Sequence, residues 1–150
     1  MAAVLDNYRS NVQALRKYAV VVLMTSVFFW VWAVINTVGM DSGFDLGVAS
    51  FLTAALSSAL LLYQVKPEQD PPGLCTVFVV FTSNLFVSVN YVLGVLFGLQ
   101  IAEPPLVGFA TYCGVFAVLW LITAALGMRL MVAARKSYIM SNSEEQVGLV

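Results

Sequence analysis

Apolar residues along this chain collect into four long runs, separated by short breaks in which prolines, glycines and charges concentrate. The runs cover 18–39 (YAVVVLMTSVFFWVWAVINTVG), 46–63 (LGVASFLTAALSSALLLY), 74–99 (LCTVFVVFTSNLFVSVNYVLGVLFGL) and 106–134. The last holds a single charge, Arg129, near its end. A helix needs about 20 apolar residues to cross ~30 Å of hydrocarbon. Each run is therefore predicted as a transmembrane helix, the second short enough to stand nearly upright and the third long enough to tilt. The first run is longer than the ~7–15-residue apolar stretch of a secretory signal and lacks a clear small-residue cleavage site, so it reads as a retained helix.

The breaks have turn chemistry. Residues 40–45 read MDSGFD, 64–73 read QVKPEQDPPG and 100–105 read QIAEPP. Proline lacks the amide hydrogen and restricts the residue before it, so these positions start or stop helices. Ahead of the first run, Val4, Leu5, Tyr8, Val12 and Leu15 recur at helical spacing among Asp6, Asn7, Arg9, Asn11, Gln13 and Arg16. Residues 1–17 are predicted as a short amphipathic helix lying in the membrane interface. Residues 18–135 form the transmembrane domain. The polar, acidic stretch 136–150 is expected to be a flexible tail. The predicted fold class is all-α, a membrane four-helix bundle with a short interfacial N-terminal amphipathic helix.

Composition agrees with this division. Hydrophobic residues make up 61% of the chain and charged residues 10%, against about 25% charged in a typical soluble domain. A soluble fold of this size has too little interior to hide so much apolar surface. The seven basic residues, Arg9, Arg16, Lys17, Lys66, Arg129, Arg135 and Lys136, all fall before the first run, in the second break or at the end of the fourth. Basic residues favour the cytoplasmic side, so both termini and the second break are expected in the cytosol. Arg16, Lys17, Arg129, Arg135 and Lys136 are the candidate interface anchors, with Arg129 able to snorkel. A net charge of −1 with no separate basic patch argues against nucleic acid as a partner.

The same residues restrict the chemistry. The chain has no histidine, and its two cysteines are Cys75 and Cys113. No metal site is expected from so few ligands, and the topology would put the two thiols at opposite ends of the bundle, where they read as buried and free. Asp, Glu and Lys stay out of the apolar runs. Proton relays and hydrolases need an intramembrane ionisable group or a base, so an enzyme is not expected. Retinal or haem would need a suitably placed lysine or an axial ligand, and no cofactor is expected.

The polar residues within the runs are amides and hydroxyls. Thr82, Phe86, Asn90, Gly94 and Gly98 are spaced by four and form one ridge of the third helix, with Ser50, Ala54 and Ser58 as a matching seam on the second. The fourth helix offers Gly114, Ala117, Ala124 and Gly127. Small residues let helices approach closely in lipid. These seams either pack the four helices on one another or dock another membrane protein, and Asn36 and Asn84 carry the same two readings. The ending Glu145-Gln-Val-Gly-Leu149-Val150 matches an acidic dileucine sorting signal, with Val150 in place of the usual Leu or Ile.

Four short-looped helices with internal termini, together with the basic-flanked LRKYAVVV…WAVINTVG stretch from Leu15 to Gly39, resemble the MARVEL-type tetraspan proteins of vesicles and junctions. That resemblance implies a non-enzymatic organiser of membranes and partner proteins in an endomembrane or vesicle. Ala2–Leu15, AAVLDNYRSNVQAL, is similar to the interfacial N-terminal segment of the family of subunit six of the endoplasmic reticulum membrane protein complex, which has three spans where this chain has four. It implies an accessory subunit. The expected partners are the lipid bilayer and other membrane proteins, in a homo- or hetero-oligomer. The alternative function is a small transporter or an oligomeric channel subunit.

Overall fold

The computed structural model describes the backbone of residues 2–39, 46–65, 71–102 and 104–147, and side chains within these from 7 to 35, 47 to 65 and 71 to 140 apart from 103. Four α-helices follow one another: α1 (Ala2–Gly39), α2 (Leu46–Gln64), α3 (Leu74–Leu96) and α4 (Val107–Val147). All four are long and apolar enough to cross a membrane; the chain is an all-α, multi-pass membrane protein. Helix α1 packs on α2 and α4, and α3 packs on α2 and α4, the order of an up-down-up-down bundle. The end that carries residues 7–15 and 134–140 is called proximal here, and the end near residues 98–107 distal.

One repeat explains the packing. Buried residues on α1 are Tyr8, Val12, Leu15, Ala19, Val22 and Ser26; on α2, Gly47, Phe51, Ala54, Ser58 and Leu61. On α3 they include Val77, Val80, Asn84 and Val87, and on α4 Ala110, Cys113, Ala117, Trp120, Ala124, Gly127, Met131 and Ala134. Steps of three and four alternate on every helix. That mean spacing of about 3.5 residues is the seam of left-handed bundles, whose helices cross at about 20°. The opposite faces carry large exposed apolar side chains, among them Val21, Met24, Phe28, Leu56, Phe78 and Ile122. Water would penalise such a surface and lipid does not.

Helix α2 has 19 residues, a rise of about 28 Å that matches the hydrocarbon thickness. Helices α1 and α4, with 38 and 41 residues, run well beyond it at the proximal end. There the structure departs from two sequence expectations. Residues 2–17 are not a separate element but the first turns of α1, and Tyr8, Val12 and Leu15 of their apolar face are buried: the rings of Tyr8 and Tyr138 lie 5.6 Å apart. Asn11 Nδ2 donates to Ser137 Oγ at 3.3 Å. The stretch 136–147, expected to be flexible, continues α4 as helix. Between them the 3.5-residue seam continues past the apolar runs, through Tyr8, Val12 and Leu15 on α1 and Ala134 and Tyr138 on α4, so these stretches give each other a face to pack on.

At the distal end α3 widens into a π-helical turn, Phe97–Ile101. Ala102 N–H donates to the Phe97 carbonyl at 2.9 Å, and Leu106 N–H to the Gly98 carbonyl at 2.8 Å. The wider turn swings the Gly98 carbonyl toward the start of α4, and Pro104 and Pro105 between them cannot donate to it.

Candidate functional site

The cross-helix contacts fix a common register, and the seams then fall into layers along the bundle. The most distal layer seen on all four helices sets Gly94 against Cys113. A Cβ built on Gly94 would come 2.8 Å from Cys113 Sγ, and one on Gly98 would lie 3.1 Å from Ala110 Cβ and 3.2 Å from the Leu106 carbonyl oxygen. Glycine at these two positions is what lets α3 and α4 meet. Ser88 adds a hydrogen bond between the helices, its Oγ donating to the Ala117 carbonyl at 2.7 Å.

One layer in from Gly94, four aromatic rings close a cycle, one from each helix. Phe29 stacks on Phe51 at 5.4 Å and meets Phe116 edge-on at 5.5 Å. Tyr91 completes it, 6.1 Å from Phe51 and 5.3 Å from Phe116. Trp120 supports the cycle from the next layer, 5.9 Å from Phe51. Each such pair contributes about 0.5–1.5 kcal/mol beyond area burial. The geometry also fills the bundle axis with carbon.

Below the rings lies a polar stretch near the middle of the helices. Ser26, Ser58 and Asn84 have 0% exposure. Asn84 Nδ2 donates to the Val80 carbonyl one turn back at 2.7 Å, while Asn84 Oδ1, Ser26 Oγ and Ser58 Oγ have no hydrogen-bond partner among the described residues. The register puts Ser58 and Asn84 in one layer with Val22 and Ala124, and Ser26 in the adjacent layer with Ala54, Val87 and Trp120. Further toward the proximal end the layers turn aliphatic: Ala19, Leu61 and Val80 beside Gly127, then Leu15, Val65 and Val77 beside Met131.

The residues singled out in the sequence distribute as follows. Ser50, Ala54 and Ser58 are buried in α2, and Asn90 Nδ2 reaches Ser50 Oγ at 3.4 Å. Asn90, Gly94 and Gly98 lie on the inner side of α3, but the same ridge does not stay inside: Phe86 is exposed and Thr82 half-buried. A row of residues four apart turns steadily round a helix, whereas the seam follows steps of three and four. Ala117, Ala124 and Gly127 are buried in α4, and Gly114 is half-buried. Arg16, Lys17, Arg129 and Lys136 are exposed and Arg135 is half-buried. The side chains of Asn36 and Glu145, and Leu149 and Val150 altogether, lie outside the described residues.

Cys113 is buried and free, as the sequence reading has it, but Cys75 is exposed. Cys75 sits two residues before the buried Val77, about 200° round the helix from it, and so points away from the bundle. The sequence reading also missed the pairing of Tyr18 with Gly127. The Tyr18 hydroxyl donates to the Thr123 carbonyl at 2.9 Å, and its ring lies so close over Gly127 that a Cβ there would come 2.6 Å from Tyr18 Cζ. Gly127 stands out in the sequence as a small residue; nothing there links it to a tyrosine more than a hundred positions away.

Chemically, the hydroxyls are largely committed. Ser57, Ser83 and Thr123 each donate to a carbonyl of their own helix at 2.7–3.0 Å. A serine nucleophile needs a base to take that proton, and no such base adjoins any of these hydroxyls among the described residues. No family model, no curated protein and no solved structure matches the chain.

Proposed function

We propose that this multi-pass membrane protein is a non-enzymatic scaffold, either an accessory subunit of a membrane complex or a vesicle tetraspan that organises partner proteins, with both termini in the cytosol. The observation that carries the reading is the aromatic cycle of Phe29, Phe51, Tyr91 and Phe116 across the bundle axis. A solute path needs a wet, polar-lined route with sites weak enough to release their cargo, and here the route is blocked by carbon at its distal half. The complete segregation of the basic residues supports the orientation, and the resemblance to MARVEL-type tetraspans supports the organising role.

The test has two arms. The protein purified alone and reconstituted in liposomes moves no ion or metabolite above the lipid background. Isolated gently from its source, it recovers specific membrane-protein partners. A second reading, a small transporter or an oligomeric channel subunit, draws on the buried polar stretch of Asn84, Ser58 and Ser26. Saturable flux that Asn84→Leu abolishes would replace the scaffold with the transporter.

A further inference from the structure

We propose that the bundle binds one ordered water molecule at its middle, held by Asn84 Oδ1 and the hydroxyls of Ser58 and Ser26. These residues have 0% exposure and sit on three different helices. Among the described residues, none of the three oxygens has a hydrogen-bond partner. A buried polar group without a partner is costly, and more so in lipid, where no solvent reaches it. The amide of Asn84 is fixed in orientation: its Nδ2 donates to the Val80 carbonyl of its own helix at 2.7 Å, which leaves Oδ1 for the neighbouring helices.

The register brings the three groups to one height. The Asn90–Ser50 and Thr76–Gln64 hydrogen bonds align α3 with α2 and put Asn84 level with Leu56. The stack of Phe29 on Phe51 puts Ser26 level with Ala54. Along the axis, Asn84 therefore lies between Ser26 and Ser58, about 3 Å from each. Side chains tilt toward the N-terminus of their own helix. Helices α1 and α2 run in opposite directions, so the tilt carries Ser26 and Ser58 toward each other and toward the level of the amide.

Chemistry selects the occupant. Water donates to Asn84 Oδ1 and to one serine oxygen and accepts the other serine's proton, the three bonds typical of a buried water. A metal cation would lose its hydration with no counter-charge, since Asp and Glu are absent from all four apolar runs. A hydrocarbon ligand would leave all three oxygens unpaired. The same two layers contain the buried Ala54 and Ala124, which keep the surroundings of the amide small. On the proximal side Leu61, Val80, Leu15 and Met131 close the site, and on the distal side Trp120 and the four rings do. The water therefore exchanges only when the bundle opens. The inference stands whether the protein is a scaffold or a transporter.

The test is a crystal structure of the full-length protein grown from lipid, at a resolution that shows bound waters, with thermal unfolding of two serine variants beside it. Density for one water is expected ~2.5–3.0 Å from Asn84 Oδ1 and from at least one serine Oγ. Ser58→Ala and Ser26→Ala each take a partner from that water and lower the melting temperature by about 2–4 °C. A dry hydroxyl would give the opposite sign, because its removal relieves an unpaired buried group. A map that shows other waters but none at Asn84 would overturn the proposal. So would a peak with about six oxygen neighbours, which marks a cation, or a melting temperature raised or unchanged in both serine variants.

Discussion

Against α3, helix α4 sets Cys113 and Ala110 on Gly94 and Gly98, and takes a hydrogen bond from Ser88. Against α1, it offers Gly127 to the ring of Tyr18 and leaves a groove alongside. Glycine serves both seams, for different reasons. At Gly98 part of the obstacle to a side chain is the Leu106 carbonyl, which is backbone; at Gly127 the obstacle is another side chain. The first arrangement draws two helices together along a line, and backbone contact of this kind is what holds helices in lipid, where no hydrophobic drive acts between them. The second buries one large ring in a local notch, with a trough between the helices beside it.

The largest effect is expected on the α3/α4 side. Gly94→Leu or Gly98→Leu should destabilise the fold by about 2–3 kcal/mol, at the upper end for overpacking. Leu93→Ala and Leu96→Ala should cost less than about 1 kcal/mol, because these side chains are 48% and 42% exposed and lose little packing to the protein. Thermal or denaturant unfolding in mild detergent measures all four. Unchanged melting in both glycine variants would mean that α3 and α4 do not meet along this line.

Next is a change that separates the two uses of glycine. Gly127→Ala should cost about 1–2 kcal/mol, and most of that cost should vanish when Tyr18→Ala is present, because the ring that the methyl would strike is gone. A double-mutant cycle reads the coupling directly, with about 1 kcal/mol or more expected. Gly98→Ala should show no such rescue by Tyr18→Ala. Additive effects at Gly127 and Tyr18 would erase the distinction between the seams.

The difference between the seams also tracks how much could be read from sequence. The four spans were plain because apolar run length is a local property. Gly94 and Gly98 were legible because small residues four apart make a line on one helix, whatever that line meets. Tyr18 over Gly127 was not legible, since the fit depends on a register between the first and last helices that no local pattern encodes. The proximal ends fail in the same way: the face of Tyr8, Val12 and Leu15 was visible, but what covers it was not. Arg129, Arg135 and Lys136 give the end of α4 the look of an interface, and they hide the continuing seam of Met131, Ala134 and Tyr138. Cys75 was placed inside because cysteine is usually buried, and only the phase of the α3 seam puts it outside.

A smaller effect is expected where α1 and α4 pair beyond the length of α2. Tyr8→Ala removes the ring contact with Tyr138, worth about 0.5–1.5 kcal/mol. That energy acts on local opening rather than on the whole fold, because the membrane-length layers do not depend on it. Backbone amides of residues 134–140 should exchange with solvent up to about tenfold faster, with the overall melting point nearly unchanged. Unaltered exchange would mean that the two extensions are helical on their own and do not need each other.

The smallest effect concerns a polar contact between α2 and α3 within the small-residue seam. Asn90 Nδ2 lies 3.4 Å from Ser50 Oγ, long for a hydrogen bond, and Ser50 already donates to the Gly47 carbonyl at 3.1 Å. Interhelical hydrogen bonds in membranes average about 0.6 kcal/mol, and this one should not exceed that. Asn90 is half-buried, so leucine can fill the site without overpacking and regain part of the loss through dispersion. Asn90→Leu is therefore expected to lie within about 0.6 kcal/mol of the unaltered protein, several times below Gly94→Leu one turn away on the same ridge. Unfolding of the two variants under identical detergent conditions compares them. A loss at Asn90 as large as that at Gly94 would show that α3 is held by its amide and not by the close approach its glycines allow.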